Sequence, residues 1–138
     1  MKANTIIVSF NNGSVPPQYA YRYQIIFFEE NGNAEFKLFK GDEKDEKMIV
    51  SEQKKFDTEI FLQLLYLVNN LENSQKNPAM VGGSERIINV NSKKITIAPD
   101  DDLGVSLFNR FLKLYSTDFQ TKLILTLIFK TNYHGPST

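Results

Sequence analysis

At 138 residues the chain has the length of one ordinary domain, and a domain of this size can bury enough apolar surface to fold without metals or cross-links. Lysine plus arginine and aspartate plus glutamate number 16 each, so the chain has no net charge to attract nucleic acid or anionic lipid. The absence of cysteine excludes disulfides, thiolate nucleophiles and cysteine-bound metals.

Four strands are predicted in the first 55 residues, at 5–10, 19–28, 35–40 and 48–52, because each of these segments is rich in β-branched or aromatic residues or alternates in polarity. The run Asn31-Gly32-Asn33 supplies residues that tolerate positive φ, which is typical of a hairpin turn. The charged run at 42–47 suits a solvated hairpin tip. Short connections of this kind favour an antiparallel meander.

A helix is predicted to begin at Asp57, an N-cap residue type, and to continue to Leu71 with apolar residues at helical spacing. Phe56 before the cap and Phe61 after it occupy the positions of a hydrophobic staple. A polar linker follows, and it ends at Pro78.

The second half of the chain predicts a hairpin from 86–90 and 94–98, joined by residues 91–93, and then a helix from the aspartate run at 100–102 to Tyr115. The segment 119–129 fits both helical and strand spacing, and we favour the helix. The sequence thus predicts an α+β fold, with a mainly antiparallel sheet of about six strands and helices mostly on one face. The expected order is β-β-β-β-α-β-β-α-α, as a single domain over 1–131 with a flexible tail over 132–138.

No catalytic residue, metal ligand or cofactor site is assigned from the sequence. His134, the only histidine, lies in the predicted tail, where it could not be held against a substrate. The aspartates at 100–102 lack the ligand spacing of a calcium loop and are better explained as helix caps. Gly82-Gly83 leads into a strand rather than a helix, so it is interpreted as a turn and not a phosphate loop.

The most distinctive segment is the second strand, which carries a row of aromatic side chains. Because successive strand residues point to opposite faces, Tyr19, Tyr21 and Tyr23 share one face, either as core packing or as a contact platform. Residues 25–28 are apolar on both faces, which predicts burial on both sides at that end. The other end, beside the proline loop, is the expected binding surface, comprising Pro16, Pro17, Tyr19, Tyr21 and Arg22.

Three functions remain open. We prefer a non-catalytic module that binds another protein, of the inhibitor or immunity type, and that contacts neither nucleic acid nor membrane. The first alternative is a small-ligand binder or enzyme with a pocket between sheet and helices, using tyrosine hydroxyls, Arg22 and Asp100 or Asp101. The second is a self-associating domain that forms homo-oligomers through an edge strand or the segment 119–129. Since no apolar run is long enough for a signal peptide or a membrane span, we expect a cytoplasmic protein.

Overall fold

The computed structural model describes residues 3–13, 15–41, 45–72 and 84–132. These residues form six strands and three α-helices in the predicted order, which confirms the α+β fold and the helical interpretation of 119–129. The elements are β1 (Thr5–Asn11), β2 (Tyr21–Phe28), β3 (Asn33–Lys40), β4 (Lys47–Lys55), α1 (Thr58–Val68), β5 (Glu85–Val90), β6 (Lys93–Ile97), α2 (Asp102–Tyr115) and α3 (Phe119–Asn132).

The strands form one antiparallel sheet in the order β4-β3-β2-β1-β5-β6, with β1 in the interior and β4 and β6 at the edges. The β2–β3 turn contains Gly32 at a φ of 68°, as its sequence predicts. The β5–β6 turn has two residues rather than the three expected. Asn91 and Ser92 both adopt positive φ, at 49° and 77°, and this tight turn matches the twist of the flanking strands.

The helices cover only one face of the sheet. On β2 the side chains of Tyr23, Ile25 and Phe27 are buried beneath them, whereas Ile26 and Phe28 on the opposite, open face are half-buried. The prediction that this end of β2 is buried on both sides is therefore wrong. Ile26 and Phe28 are shielded by their neighbours within the sheet, since they lie opposite Ile7 and Thr5 of β1 in the register.

The beginning of β2 also differs from its prediction. The strand starts at Tyr21, and Pro17–Tyr19 forms a single turn of 3₁₀ helix instead of extended chain. Proline fixes its own φ near the helical value, and the Tyr19 amide donates to the Pro16 carbonyl at 2.8 Å to close the turn. Tyr19 is therefore not part of the aromatic row.

Both predicted helix caps are present. The Asp57 carboxylate accepts from the amides of Glu59 and Ile60 at 2.9 and 3.2 Å, and the rings of Phe56 and Phe61 lie 5.3 Å apart as a hydrophobic staple. Asp101 likewise accepts from the amide of Gly104 at 2.9 Å and caps α2. The aspartate run at 100–102 thus has a structural role at Asp101, as the sequence predicts.

Several predictions concern other parts of the chain. The charged residues 42–44, the linker after Glu72, Gly82-Gly83, His134 and the tail beyond Asn132 lie outside the described residues. Within the described ranges, no helix combines the length and the apolar character that a membrane span requires.

Candidate functional site

The predicted binding residues lie at one end of the sheet, around the start of β2. Pro16 is exposed and Tyr19 is 61% exposed, whereas Tyr21 is half-buried and its ring lies 5.6 Å from that of Phe10. Pro17 begins the 3₁₀ turn. Pro16 and Tyr19 are therefore exposed to solvent, whereas Tyr21 packs against Phe10. Burial raises the pKa of the Tyr21 phenol.

Hydrogen bonds hold this loop in place. The Asn12 side chain donates to the Tyr19 carbonyl at 2.7 Å and accepts from the Tyr21 amide at 3.0 Å. The Gly41 amide donates to the Ala20 carbonyl at 2.8 Å. The exposed Tyr19 ring is thus carried on backbone that is anchored on both sides, an arrangement that lowers the entropic cost of binding a partner.

Arg22 lies on the open face and is already paired. Its Nε and Nη2 donate to the two carboxylate oxygens of Glu46 at 2.7 and 2.8 Å, and its guanidinium carbon lies 3.9 Å from the centre of the Phe39 ring. The hydrogen bonds to Glu46 raise the pKa of Arg22. An incoming anion would have to compete with Glu46, so Arg22 is organised as part of the framework.

An open depression of about 610 Å³ lies at this end of the sheet. Its lining is mainly polar and includes Asn11, Asn12, Tyr21, Arg22 and Glu46. Ligand sites are usually concave and apolar with few polar groups, so this wide polar depression resembles a solvated rim more than an enclosed site.

A second concave feature, the β4–α3 groove, lies between the edge of the sheet and the helices. It has a volume of about 340 Å³, and its lining residues come from β3, β4, α2 and α3. The apolar lining includes Phe36, Leu38, Val50, Phe119, Leu123 and Leu125, and the polar lining includes Glu52, Lys54, Tyr115, Ser116, Lys122 and Thr126. This groove lies between sheet and helices, and its lining does not include Arg22, Asp100 or Asp101.

Two residues that line the groove, Tyr115 and Glu52, form a polar pair. The Tyr115 hydroxyl donates to Glu52 Oε1 at 2.7 Å, and the Lys54 ammonium lies 4.9 Å from the centre of the Tyr115 ring. Burial, together with the hydrogen bond to Glu52, raises the pKa of Tyr115 well above its ordinary value. The pair therefore holds the phenol protonated and orients it as a donor to Glu52.

These tyrosines predict a loss of stability in alkali. The pKa values of Tyr115 and Tyr23 are both raised above 10.0, mainly by burial, so the folded protein keeps two protons that the unfolded chain releases above pH 10. The stabilisation of the fold by these retained protons is fully present below pH 10. Above pH 10 it falls by about 1.4 kcal/mol per pH unit for each phenol. We expect urea unfolding to show this decline, with a shallower slope for Tyr115→Phe. An unchanged slope would contradict the assignment to Tyr115.

One face of α3 is apolar and exposed to solvent, and α1 also exposes large apolar side chains, namely Ile60, Leu62, Tyr66 and Leu67. Four side chains on successive turns of α3 are about half exposed or more: Ile124, Leu125, Ile128 and Phe129, which we call the α3 patch. Leu125 also lines the β4–α3 groove, so patch and groove are continuous. The opposite side of α3 contributes Phe119 and Leu123 to the core.

The sequence does not predict this patch as a binding site, although it offers the segment 119–129 for self-association. The available signal is that six of the seven residues 123–129 are apolar, the exception being Thr126. A helix that is apolar on all sides is normally covered on all sides. By contrast, most exposed positions of α2 are polar, among them Ser106, Arg110 and Lys113.

The described residues contain no group of three or more histidine, aspartate or glutamate side chains that could hold a metal ion.

In comparisons with known proteins, the chain matches no family model, no curated protein and no solved structure.

Proposed function

We propose that this protein is a non-catalytic module that binds another protein through the α3 patch, in the cytoplasm as the sequence favours. The observation that carries the proposal is the exposure of four adjacent large apolar side chains on a helix whose other side is anchored in the core. Exposed apolar patches of this kind mark interaction surfaces in soluble proteins.

The geometry of α3 suits such a role. Ile124 and Ile128 are four residues apart, as are Leu125 and Phe129, so the patch presents two parallel ridges over two helical turns. Large apolar anchors arranged in this way contribute most of the affinity in helix-mediated interfaces. The loop around Tyr19, predicted from the sequence, remains a second contact region of the same proposal.

The β4–α3 groove favours a second candidate function, the binding of a small ligand. Its volume of about 340 Å³ falls within the range of small-molecule sites, and its lining combines apolar walls with a few polar groups. A screen of metabolites by thermal shift would support this candidate if a ligand raised the melting temperature of the protein but not that of Val50→Trp, which would fill the groove from a half-buried position.

Site-specific photocross-linking in the native cells tests the interaction proposal. A photoreactive phenylalanine analogue at position 125 should yield a defined cross-linked product, whereas the same group at Lys113, an exposed residue of α2, should not. Ile128→Arg should abolish the product by placing a charge within the patch. The proposal fails if both positions give the same products or if neither gives any. The same group placed at Tyr19 tests the loop, and a product from that position alone would place the contact there instead.

A further inference from the structure

We infer that the α3 patch binds a second copy of this chain, with the two α3 helices antiparallel about a two-fold axis between residues 126 and 127. This inference rests on the proposed function, because it names the partner of the same surface. According to this inference, the protein forms a reversible homodimer.

The spacing of the patch makes it self-complementary. A two-fold axis between residues 126 and 127 exchanges position 124 with 129 and position 125 with 128. Ile124 then faces the partner's Phe129, and Leu125 faces the partner's Ile128, so each apolar side chain meets another. An interface of this symmetry requires one patch to match itself, and the α3 patch does so without using any other surface.

The charges around the patch permit two copies to approach. The patch itself contains no ionisable side chain; Lys122 before it lies 3.4 Å from Asp118 on its own helix, and Lys130 follows Phe129 in the sequence. The chain carries 16 acidic and 16 basic residues, so two copies have no net repulsion. Antiparallel helices also place opposite ends of their dipoles together.

The size of the patch sets the strength of the association. Four half-exposed side chains present roughly a few hundred Å² of apolar surface, whereas a stable interface takes about 800 Å² from each partner. The patch alone is therefore too small for an obligate dimer. We expect a weak, reversible dimer, because a patch of this size supports only a transient contact.

Sedimentation equilibrium from about 10 µM to 1 mM tests the inference. The weight-average mass of the unaltered protein should rise from 15.9 kDa toward twice that value. Phe129→Arg should weaken association at least tenfold, whereas Tyr66→Arg should not. The two residues are a matched pair, since both are aromatic, 67% and 73% exposed, and close to the C-terminal end of a helix, where a cation is tolerated.

Cross-linking tests the proposed geometry, because a chain without cysteine allows one thiol to be placed at will. Ile128→Cys with a short bismaleimide should give a covalent dimer, and Tyr66→Cys should not. A mass that stays at 15.9 kDa up to about 1 mM, or equal effects of the two arginine variants, would overturn the inference.

The cellular cross-link from position 125 distinguishes the two proposals. If the protein stays monomeric and that position captures a different protein, the homodimer is wrong and the proposed function stands. If the protein stays monomeric and no product forms, both are wrong. A monomer that binds phosphatidylcholine vesicles through Phe129 would likewise overturn both.

Discussion

Replacement of Phe27 by alanine should lower the free energy of unfolding by about 3 to 5 kcal/mol, a large fraction of the stability of an ordinary domain. Phe27 is fully buried at the end of β2. Its ring lies 5.3 Å from that of Phe56 and 6.3 Å from that of Phe61 at the start of α1. Phe111 of α2 lies 5.8 Å away, so one side chain joins the sheet to two helices. Truncation of Phe27 to alanine leaves a cavity between the sheet, α1 and α2, and these three elements cannot all move to close it.

Urea unfolding measures this effect, and the expected fall in the midpoint is roughly 2 M. Phe129→Ala, studied at low protein concentration, is the control, since it removes the same atoms from a ring that is mostly exposed. The control should change stability by less than about 1 kcal/mol. Equal effects of the two substitutions would show that Phe27 does not join these elements.

The features that the sequence predicted correctly depend on local chemistry. The positive φ of Gly32, the N-cap at Asp57 and the staple between Phe56 and Phe61 each involve residues a few positions apart. Such features form wherever the chain places those residue types, whatever the rest of the fold does. The order of strands and helices followed from these boundaries together with the apolar periodicity between them.

The errors lie where distant parts of the chain decide the outcome. The unbroken apolar run at 25–28 does not reveal that all helices pack on one face, leaving Ile26 and Phe28 to be shielded within the sheet. The tyrosine pattern likewise extended the strand back to Tyr19, where proline geometry and one hydrogen bond formed a 3₁₀ turn. Periodicity describes one segment, whereas burial depends on the elements that cover it.

The candidate site shows the same difference between features that depend on local sequence and features that depend on distant residues. The pairing of Arg22 with Glu46, 24 residues later, and that of Tyr115 with Glu52, 63 residues earlier, had no sequence signature. The exposure of α3 was partly foreseeable, because no polar face could be found in 123–129. What the sequence could not tell is which of those residues, such as Leu123, face the core and which, such as Ile124, face solvent.

Replacing either of the adjacent residues Leu123 and Ile124 with aspartate should therefore have very different effects at the two positions. Leu123 is 5% exposed and packs in the core, whereas Ile124 is 56% exposed in the α3 patch. Leu123→Asp removes a buried side chain and places a carboxylate where water is excluded, which should cost about 4 kcal/mol or more. Ile124→Asp should cost about 1 kcal/mol or less, because its carboxylate stays solvated.

The pair is self-controlled, because both variants introduce the same residue in the same helix and so share the same loss of helix propensity. Urea unfolding at low protein concentration should separate their midpoints by more than about 1 M. Ile124→Asp should remain folded while losing self-association, since it places a charge within the patch. If Ile124→Asp destabilised the monomer as strongly as Leu123→Asp, residue 124 would belong to the core, and the α3 patch could not be the binding surface.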